Sequence, residues 1–387
     1  MAFGFNKQRY SPIAIDFGAD SLKLLQIVPT NPPQLVAAGA ATVPEQARTN
    51  SGQRYTFLAE AMKNLLATQP FKGRRAMLSI PAFQTLVQHL EIAAGPHENL
   101  EAQIGLHLQQ RLNVDPSRTV VRHYPVTQVV REGGTQQELI CLAASREAVM
   151  RYIDLARRCK LDIVGMHGEP LCLLKSFGHM QAGGSESSGA VCYIDIGSAT
   201  TKVVIAHGSK MVFSKLIHAA GDQMTRHYAT QKQVGFMEAR SARISHAMGI
   251  ETPALASISA GVETIPALIP AHDPLASEAT SRAWQATDNR DETLECLIDE
   301  LQLCLRYYSN LFPQQEVTKL VFLGGESMHK EICQSIARTV HIAAQLGDPF
   351  ARLMRIGKSK RPTGVNLEHP QPGWAVPMGL CVRESNL

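Results

Sequence analysis

Two stretches of the chain show the same succession of hydrophobic and polar positions. In the first, an apolar run ends at Asp16, a glycine-containing turn follows, and apolar positions resume over 22–28. In the second, an apolar run ends at Asp195, a similar turn follows, and 202–206 is apolar again. Short apolar runs bounded by turns predict strands. The chain therefore repeats one architecture about 180 residues apart, and each copy opens with an acid at a hairpin.

The rest of the pattern alternates between helical and strand spacing. Apolar residues at intervals of three and four predict helices over 57–68, 100–112, 145–159, 169–177, 221–229, 235–248 and 292–311, followed by a helix ending at 339 and a closing one over 374–382. Short apolar runs predict further strands over 35–43, 76–80, 83–92, 120–130, 138–144, 161–166, 211–217 and 319–323. This alternation predicts an α/β fold.

The predicted elements divide the chain into two lobes. A stretch rich in glycine and serine predicts a flexible loop between them at 183–189. The first lobe is predicted to comprise a core at 1–54, an inserted subdomain at 55–164 and a connecting helix at 165–182. The second is predicted at 190–387, with an insertion at about 226–318 and a closing helix, 370–387, that returns to the first lobe. Residues 251–291 show no regular spacing of apolar positions, and this absence predicts a long insertion or mobile loop.

Composition narrows the range of functions. Hydrophobic residues make up 44% and charged residues 19%, which is typical of a globular protein. The net charge is only +4 and the basic residues are scattered along the chain, so we expect no nucleic-acid partner. The eight cysteines include no CxxC pair and the fourteen histidines are dispersed, which predicts reduced core thiols and no zinc site. Without a targeting segment or a long apolar stretch, the chain is predicted to be cytoplasmic and to reach a membrane only through partners.

The two hairpins carry the candidate chemistry. A tight glycine turn frees consecutive backbone N–H groups to bind an anion. A carboxylate at the end of a strand can hold the hydrated Mg²⁺ that accompanies nucleotide phosphates. A glycine pair, Gly324 and Gly325, follows a late strand. Either hairpin alone is most often an ordinary turn, but the three features together favour phosphate binding.

These segments resemble the actin-like ATPase superfamily, whose fold is ribonuclease H-like. The segments 16–21 and 195–200 resemble its two phosphate loops, and 323–326 resembles its adenosine loop. Two further segments, 167–171 and 374–380, look like its connecting helices. The resemblance implies two lobes with a duplicated βββαβα core around a nucleotide cleft. Within the superfamily, the chain is similar to the PilM family of type IV pilus assembly. The similarity lies in residues 13–25 and in the order of the segments in the predicted inserted subdomain.

The resemblance implies a site for ATP and Mg²⁺. Asp16 and Asp195 would face the metal, through water. The phosphate loops would comprise Gly18, Ala19, Asp20, Ser21 and Lys23 in the first lobe, and Gly197, Ser198, Ala199 and Thr200 in the second. The nucleoside would be bordered by Gly324, Gly325 and Glu326 and flanked by Glu238 and Arg240. Glu169 would be a catalytic residue near the attacking water, or only an acid that complements a helix N-terminus.

Two residues depart from the pattern of the superfamily. Asp20 places a second negative charge near the phosphates, which would weaken their binding unless Lys23 or Mg²⁺ compensates for it. Arg240 stands where a lysine is common. Both departures argue against strong hydrolysis, so the chain is expected to be a slow ATPase at most.

The function implied by the resemblance is that of a scaffold. Proteins of the PilM family bind ATP and capture the N-terminal peptide of the inner-membrane protein PilN, which links the membrane platform to the motor ATPases of the pilus. Segments 78–92 and 120–130 are candidates for the peptide groove, and a homo-oligomer is left open. Two alternatives remain: a small-molecule kinase, which would need a substrate base, and an FtsA-like filament protein, which would need a C-terminal amphipathic helix.

Overall fold

A computed structural model describes residues 10–93, 100–112, 114–131, 134–178, 189–247, 292–355 and 365–382. The chain divides into two compact units: unit 1 is Met1–Ala182 together with Asp348–Leu387, and unit 2 is Gly183–Gly347. The predicted mobile stretch 251–291 and all but the last residue of the predicted loop 183–189 lie outside the described residues.

The described elements follow one another in strand-rich and helical groups. Up to residue 176 they are β1 (Ile13–Phe17), β2 (Ser21–Val28), β3 (Gln34–Thr42), α1 (Glu45–Thr49), α2 (Ser51–Thr68), β4 (Arg75–Ile80), β5 (Thr85–Ala93), α3 (Leu100–Leu112), β6 (Thr119–Arg131), β7 (Gly134–Ser145), α4 (Arg146–Arg158), β8 (Asp162–Gly168) and α5 (Glu169–Ser176). Unit 2 then contains β9 (Ala190–Ile196), β10 (Thr201–His207), β11 (Lys210–Ile217), α6 (Gly221–Lys232), α7 (Phe236–Ala247), α8 (Glu292–Leu311), β12 (Val317–Leu323), α9 (Lys330–Val340) and β13 (Ala344–Leu346). The chain returns to unit 1 with β14 (Met354–Arg355) and α10 (Ala375–Cys381).

The two main sheets repeat one topology. In unit 1 the strand order is β14-β3-β2-β1-β4-β8, and in unit 2 it is β11-β10-β9-β12-β13. In unit 1, β1 pairs antiparallel with β2 and parallel with β4. In unit 2, β9 pairs antiparallel with β10 and parallel with β12 in the same way. Apart from the edge strand β14, the five positions correspond one to one. The predicted repeat is therefore a repeat of sheet topology.

Apolar helices cover the sheet of unit 1. Helices α2 and α4 bury Leu58, Met62 and Tyr152 against the side chains of β1 and β2. Helix α10 contacts β1, β2 and β4, and it also packs on α5. The sequence placed residues 348–369 in the second lobe, but the structure places them in unit 1, where β14 pairs parallel with β3.

The inserted part of unit 1 is a separate small sheet. Strands β5, β7 and β6 pair antiparallel in that spatial order, and α3 packs on them. Their own core contains Leu90, Ile92, Ile104, Leu108, Leu139, Cys141 and Ala143. The predicted boundaries 55–164 are too wide, because α2, β4, α4 and β8 belong to the main sheet and its core.

Capping side chains determine where two of the helices begin. Ser145 caps α4 as predicted, since its Oγ accepts from the amide of Ala148 at 3.1 Å. Helix α2 begins at Ser51 rather than 57, because the side chain of Asn50 accepts from the amide of Gln53 at 3.1 Å. The first turn of α2 is polar, so apolar spacing alone could not locate its start. Within the described ranges, no helix has the length and apolar character needed to cross a membrane.

Candidate functional site

The first hairpin of unit 1 places a buried carboxylate at the end of β1. Asp16 is 5% exposed, and its Oδ1 accepts a hydrogen bond from the hydroxyl of Ser79 on β4 at 2.9 Å. In the β1–β2 ladder, Lys23 is the residue opposite Asp16. The pairing of strands therefore brings the predicted metal-facing acid and the predicted phosphate-binding lysine to the same end of one hairpin.

Arg54 supports the turn of this hairpin. Its guanidinium donates to the carbonyls of Gly18 at 2.7 Å, Ala19 at 3.0 Å and Phe17 at 3.5 Å. In a trans peptide the N–H points opposite to the C=O. The three amides that share these peptide planes, those of residues 18–20, therefore point away from Arg54. Consecutive amides that share a direction are the arrangement that binds an anion.

The charge of Asp20 is compensated by a residue that the sequence analysis did not name. Arg48 Nη1 lies 3.3 Å from Asp20 Oδ1, and the arginine side chain is 8% exposed. An opposite charge at this distance offsets the negative charge of the carboxylate and reduces its repulsion of another anion. The expectation that Asp20 weakens phosphate binding therefore has to allow for Arg48 as well as for Lys23 and Mg²⁺.

The second hairpin carries a buried ion pair. Lys202 Nζ lies 2.9 Å from Asp195 Oδ2, and the two side chains are 10% and 7% exposed. The residues face each other across the β9–β10 ladder, as Asp16 and Lys23 do in β1–β2. Sequence reasoning missed Lys202, although the same spacing separates the acid from the lysine in both copies of the repeat. The ammonium group of Lys202 lies near the Gly197 turn, 3.8 Å from where a Cβ on Gly197 would stand.

Helix α6 supports the second turn by a different means. The amide of Gly221 donates to the carbonyl of Gly197 at 3.0 Å, and the amide of Asp222 donates to that of Ser198 at 2.8 Å. By the same peptide geometry, the amides of Ser198 and Ala199 point away from α6. The Oγ of Ser198 is buried and has no hydrogen-bond partner among the described residues, although buried hydroxyls are normally paired. Two amides and one hydroxyl are thus available to a ligand of this loop.

Gly324 brings a third loop against the second hairpin. It follows β12, which runs parallel to β9 with Leu323 opposite Asp195. Its φ is +85°, and a Cβ there would lie 2.2 Å from the carbonyl oxygen of Ile196 and 2.4 Å from Asp195 Oδ1. No larger residue could occupy this position without displacing the loop. The predicted adenosine loop and the predicted second phosphate loop are therefore in contact within unit 2.

Glu326 is held by an arginine on α7. Arg243 Nη2 lies 2.6 Å from Glu326 Oε2, and its Nη1 donates to Thr225 Oγ1 at 2.7 Å and to the carbonyl of Gly221 at 3.1 Å. The predicted nucleoside residues Glu238 and Arg240 are on the same helix, where Glu238 is exposed and Arg240 half-buried. Sequence reasoning missed Arg243, since only the fold brings 243 and 326 together.

Glu169 begins α5 and is 4% exposed. Its Oε1 accepts from the backbone amide of Ala82 at 2.9 Å, so the carboxylate ties α5 to the segment that follows β4. This bond gives Glu169 a structural role, alongside either role that the sequence suggested.

The structure thus groups the predicted site residues within each unit. Unit 1 brings together Asp16, the loop 18–21 and Lys23, and unit 2 brings together Asp195, the loop 197–200 and 324–326. A separate cavity of about 520 Å³ lies in unit 2 between β11 and the start of α8, and it is lined by Lys215, Glu292 and Glu300 among others. None of the predicted site residues lines it.

A duplicated βββαβα core, with an acid and a glycine turn in the first hairpin of each copy, defines the actin-like ATPase fold. A solved structure of a "PilM-PilN type IV pilus biogenesis complex" has this fold: it superposes with a TM-score of 0.72 at 19% identity and covers 97% of this chain and 98% of that one. The model of the family "Type IV pilus assembly protein PilM" matches residues 14–254, more than half of the chain. The chain belongs to this family.

Two other solved structures are more distantly similar. The ethanolamine utilization protein EutJ from Carboxydothermus hydrogenoformans is 11% identical, with a TM-score of 0.47 over 97% of this chain and 89% of its own. MreB5 of Spiroplasma citri, bound to ADP, is 10% identical, with a TM-score of 0.46 over 96% of this chain and 94% of its own. No curated protein sequence matches the chain at a significant level.

Proposed function

We propose that this chain is an ATP-binding scaffold of type IV pilus assembly, which captures the N-terminal peptide of a PilN-like inner-membrane protein. The observation that carries the nucleotide part is the second hairpin with its buried pair of Asp195 and Lys202. Burying two charges is costly, and such a pair gives little net stability compared with apolar residues. A requirement for the carboxylate of Asp195 and the ammonium group of Lys202 in nucleotide binding explains why both charges are buried beside the second hairpin turn.

Each residue of the proposed site has a distinct task. Lys202 supplies a positive charge at the second phosphate loop, and the amides of Ser198 and Ala199 with the Ser198 hydroxyl supply hydrogen bonds. The amides of the loop 18–20 and Lys23 do the same in unit 1. Charge-assisted hydrogen bonds of this kind are roughly twice as strong as neutral ones. The nucleoside would be bordered by Gly324, Gly325 and Glu326, with Arg243 fixing the glutamate.

The residues present fit Mg²⁺ held through water. The carboxylates of Asp16 and Asp195 are each hydrogen-bonded, by Ser79 and Lys202 respectively, which orients them. Mg²⁺ keeps several of its waters in proteins, so contact through water suits such oriented carboxylates. Bound Mg²⁺ would neutralise part of the charge of the triphosphate.

Slow hydrolysis is part of this proposal. Glu169 is the candidate to orient an attacking water, but its Oε1 already accepts from the Ala82 amide. An oxygen that already accepts a backbone amide has less capacity left to accept a hydrogen bond from a water. The chain is therefore proposed to bind ATP as a structural ligand and to turn it over slowly at most.

Similarity to the PilM-PilN complex supports the proposed partner. An extended peptide that adds to a sheet edge or a groove gains affinity from main-chain hydrogen bonds. Among the described strands, β5 and β6 are the two edge strands of the inserted sheet. Through its partner the chain would be peripheral at the inner membrane, and it would connect that membrane protein to the motor ATPases.

The nucleotide proposal is tested by calorimetric titration of the full chain with Mg-ATP. A variant that removes only Asp195 would take away the carboxylate 2.9 Å from the buried ammonium of Lys202. We therefore choose the double variant Asp195→Asn/Lys202→Met, which removes both charges and retains similar volumes. Loss of one or two charge-assisted contacts should weaken binding by about 10- to 100-fold.

The matched control is the double variant Lys215→Met/Glu300→Gln. It removes a more exposed ion pair of the same unit, with Nζ 2.6 Å from the carboxylate, and it should leave ATP affinity unchanged. Equal affinity in the Asp195→Asn/Lys202→Met variant and the wild type would contradict the proposed site, provided that both unfold cooperatively.

The partner proposal is tested separately, by fluorescence anisotropy. The labelled ligands are synthetic N-terminal peptides of any membrane proteins with a single transmembrane segment that are encoded beside this chain. We expect saturable binding with the native peptide and none with a scrambled peptide of the same composition. Failure of every neighbouring candidate would remove the scaffold role even if ATP binds.

A further inference from the structure

Three potential metal ligands converge beside the Arg243–Glu326 pair. His246 lies one helical turn after Arg243 on α7, His329 immediately precedes α9, and Glu331 is in the first turn of α9. One ligand atom of each lies within 4.8 Å of the others. Among the described residues, no other group of three histidine, cysteine or acidic side chains meets this condition.

His329 is the fixed member of the group. It is 7% exposed; its amide donates to the carbonyl of Glu326 at 3.0 Å, and its carbonyl accepts from the amide of Cys333. Glu326 Oε2 lies 3.5 Å from its Nε2. Second-sphere carboxylates in such positions orient metal-bound imidazoles. The backbone of His329 is therefore fixed by hydrogen bonds, and its buried ring is restrained by its surroundings before any metal binds.

The other two members are able to adjust. His246 and Glu331 are exposed and sit on different helices. Metal–ligand bonds in tetrahedral sites are about 2.0–2.2 Å long, which places ligand atoms about 3.4 Å apart. The ligand atoms, which lie within 4.8 Å of one another, would therefore have to approach by about 1–2 Å to bind one metal ion. Side-chain rotation of the two exposed residues supplies this movement.

We propose that His246, His329 and Glu331 form a binding site for a divalent transition metal of the Zn²⁺ class. Two imidazoles and one carboxylate suit Zn²⁺, Co²⁺ or Ni²⁺, whereas Mg²⁺ and Ca²⁺ prefer oxygen ligands alone. Three protein ligands leave the fourth position to water or to a group from a partner. The nearby positive charge of Arg243 is offset by Glu326, its partner at 2.6 Å.

Metal at this site would connect two elements of the candidate nucleotide site. Helix α7 carries Arg243, and the segment before α9 carries Glu326, so a metal shared by His246 and His329 would restrain both. This inference concerns residues outside the phosphate loops and stands whether or not ATP binds.

The test is titration of the full chain with Co²⁺, and with Zn²⁺ in competition, in a buffer that contains excess Mg²⁺. We expect one equivalent of Co²⁺, with the visible absorption of a four-coordinate ion, which Zn²⁺ abolishes. His246→Ala and Glu331→Gln should each weaken binding by at least about tenfold, since even loss of an outer-shell partner commonly costs that much. Zn²⁺ should also raise the urea midpoint of the wild type by more than it raises that of His246→Ala.

The matched control is His227→Ala, which removes an imidazole on α6 that is bonded to Gln231. It should bind Co²⁺ as the wild type does. Three outcomes would overturn the assignment: no saturable binding, equal affinity in His246→Ala, or thiolate charge-transfer bands in the near ultraviolet, which would assign the metal to cysteines.

Discussion

At the residue scale, the two proposed phosphate loops present their amides through different supporting groups. In unit 1 the guanidinium of Arg54 binds the carbonyls of the turn, and in unit 2 the first amides of α6 do so. Both arrangements satisfy the carbonyls on one side and leave the amides on the other. A side chain with several donors can therefore replace a helix N-terminus in this role.

The acids and glycines of these loops were predictable because their chemistry is local. A glycine turn after a strand-ending acid can be recognised from consecutive residues. Arg48, Arg54 and Arg243 could not be found in this way, because each acts on a loop that only tertiary structure brings near. Lys202 is an intermediate case. It follows Asp195 at the same spacing as Lys23 follows Asp16, so aligning the two repeats would have identified it.

The position of Gly324 provides a test at this scale. Gly324→Ala places a methyl group 2.2 Å from the Ile196 carbonyl oxygen at a φ of +85°, so we expect the free energy of unfolding to fall by about 2 kcal/mol or more. Gly325→Ala is the control, because no atom lies within 4 Å of the added Cβ, and its effect should stay within about 0.5 kcal/mol. Urea denaturation of both variants measures the difference. Equal stability of the two would show that the loop does not have this conformation.

At the element scale, the sequence located most strands and helices but fewer of their ends. Strongly periodic segments such as α3 and α8 have the predicted bounds, since their apolar spacing persists to the last turn. The short strands β13 and β14 were not predicted, because two or three residues carry no periodicity. Their positions depend on the strand beside which they lie, β12 and β3 respectively.

Close packing of α5 and α10 gives a prediction at this scale. A Cβ on Gly379 would lie 1.9 Å from the carbonyl oxygen of Cys172, so the two helices touch through backbone atoms. Gly379→Ala must separate them and should destabilise unit 1 by about 2–4 kcal/mol. Thermal unfolding followed by circular dichroism measures the change.

The control for Gly379 is a glycine in an ordinary helical environment. Gly105 lies within α3, where an added Cβ would meet Pro116 at 3.5 Å, an ordinary contact. Gly105→Ala should therefore leave stability unchanged or raise it by up to about 1 kcal/mol, since alanine favours a helix. Destabilisation of similar size in both variants would contradict the proposed contact between α5 and α10.

At the scale of the whole molecule, duplication explains the arrangement of functional residues. Each unit has a five-strand core of the same order and places its acid, glycine turn and lysine on the same hairpin. Among the described elements, the units differ in what is inserted between the repeated ones: a three-stranded sheet with α3 in unit 1, and α7 in unit 2. The proposed phosphate-binding residues thus lie in the repeated elements.

The most direct test of the nucleotide site is hydrogen–deuterium exchange of the full chain with and without saturating Mg-ATP. We predict slower exchange in peptides that contain residues 18–21, 197–200 and 324–326, because the amides of residues 18–20, Ser198 and Ala199 would bind phosphate and 324–326 would border the nucleoside. Peptides from β5 and α3 should be unchanged. Unaltered exchange at all three loops under saturating Mg-ATP would contradict the account.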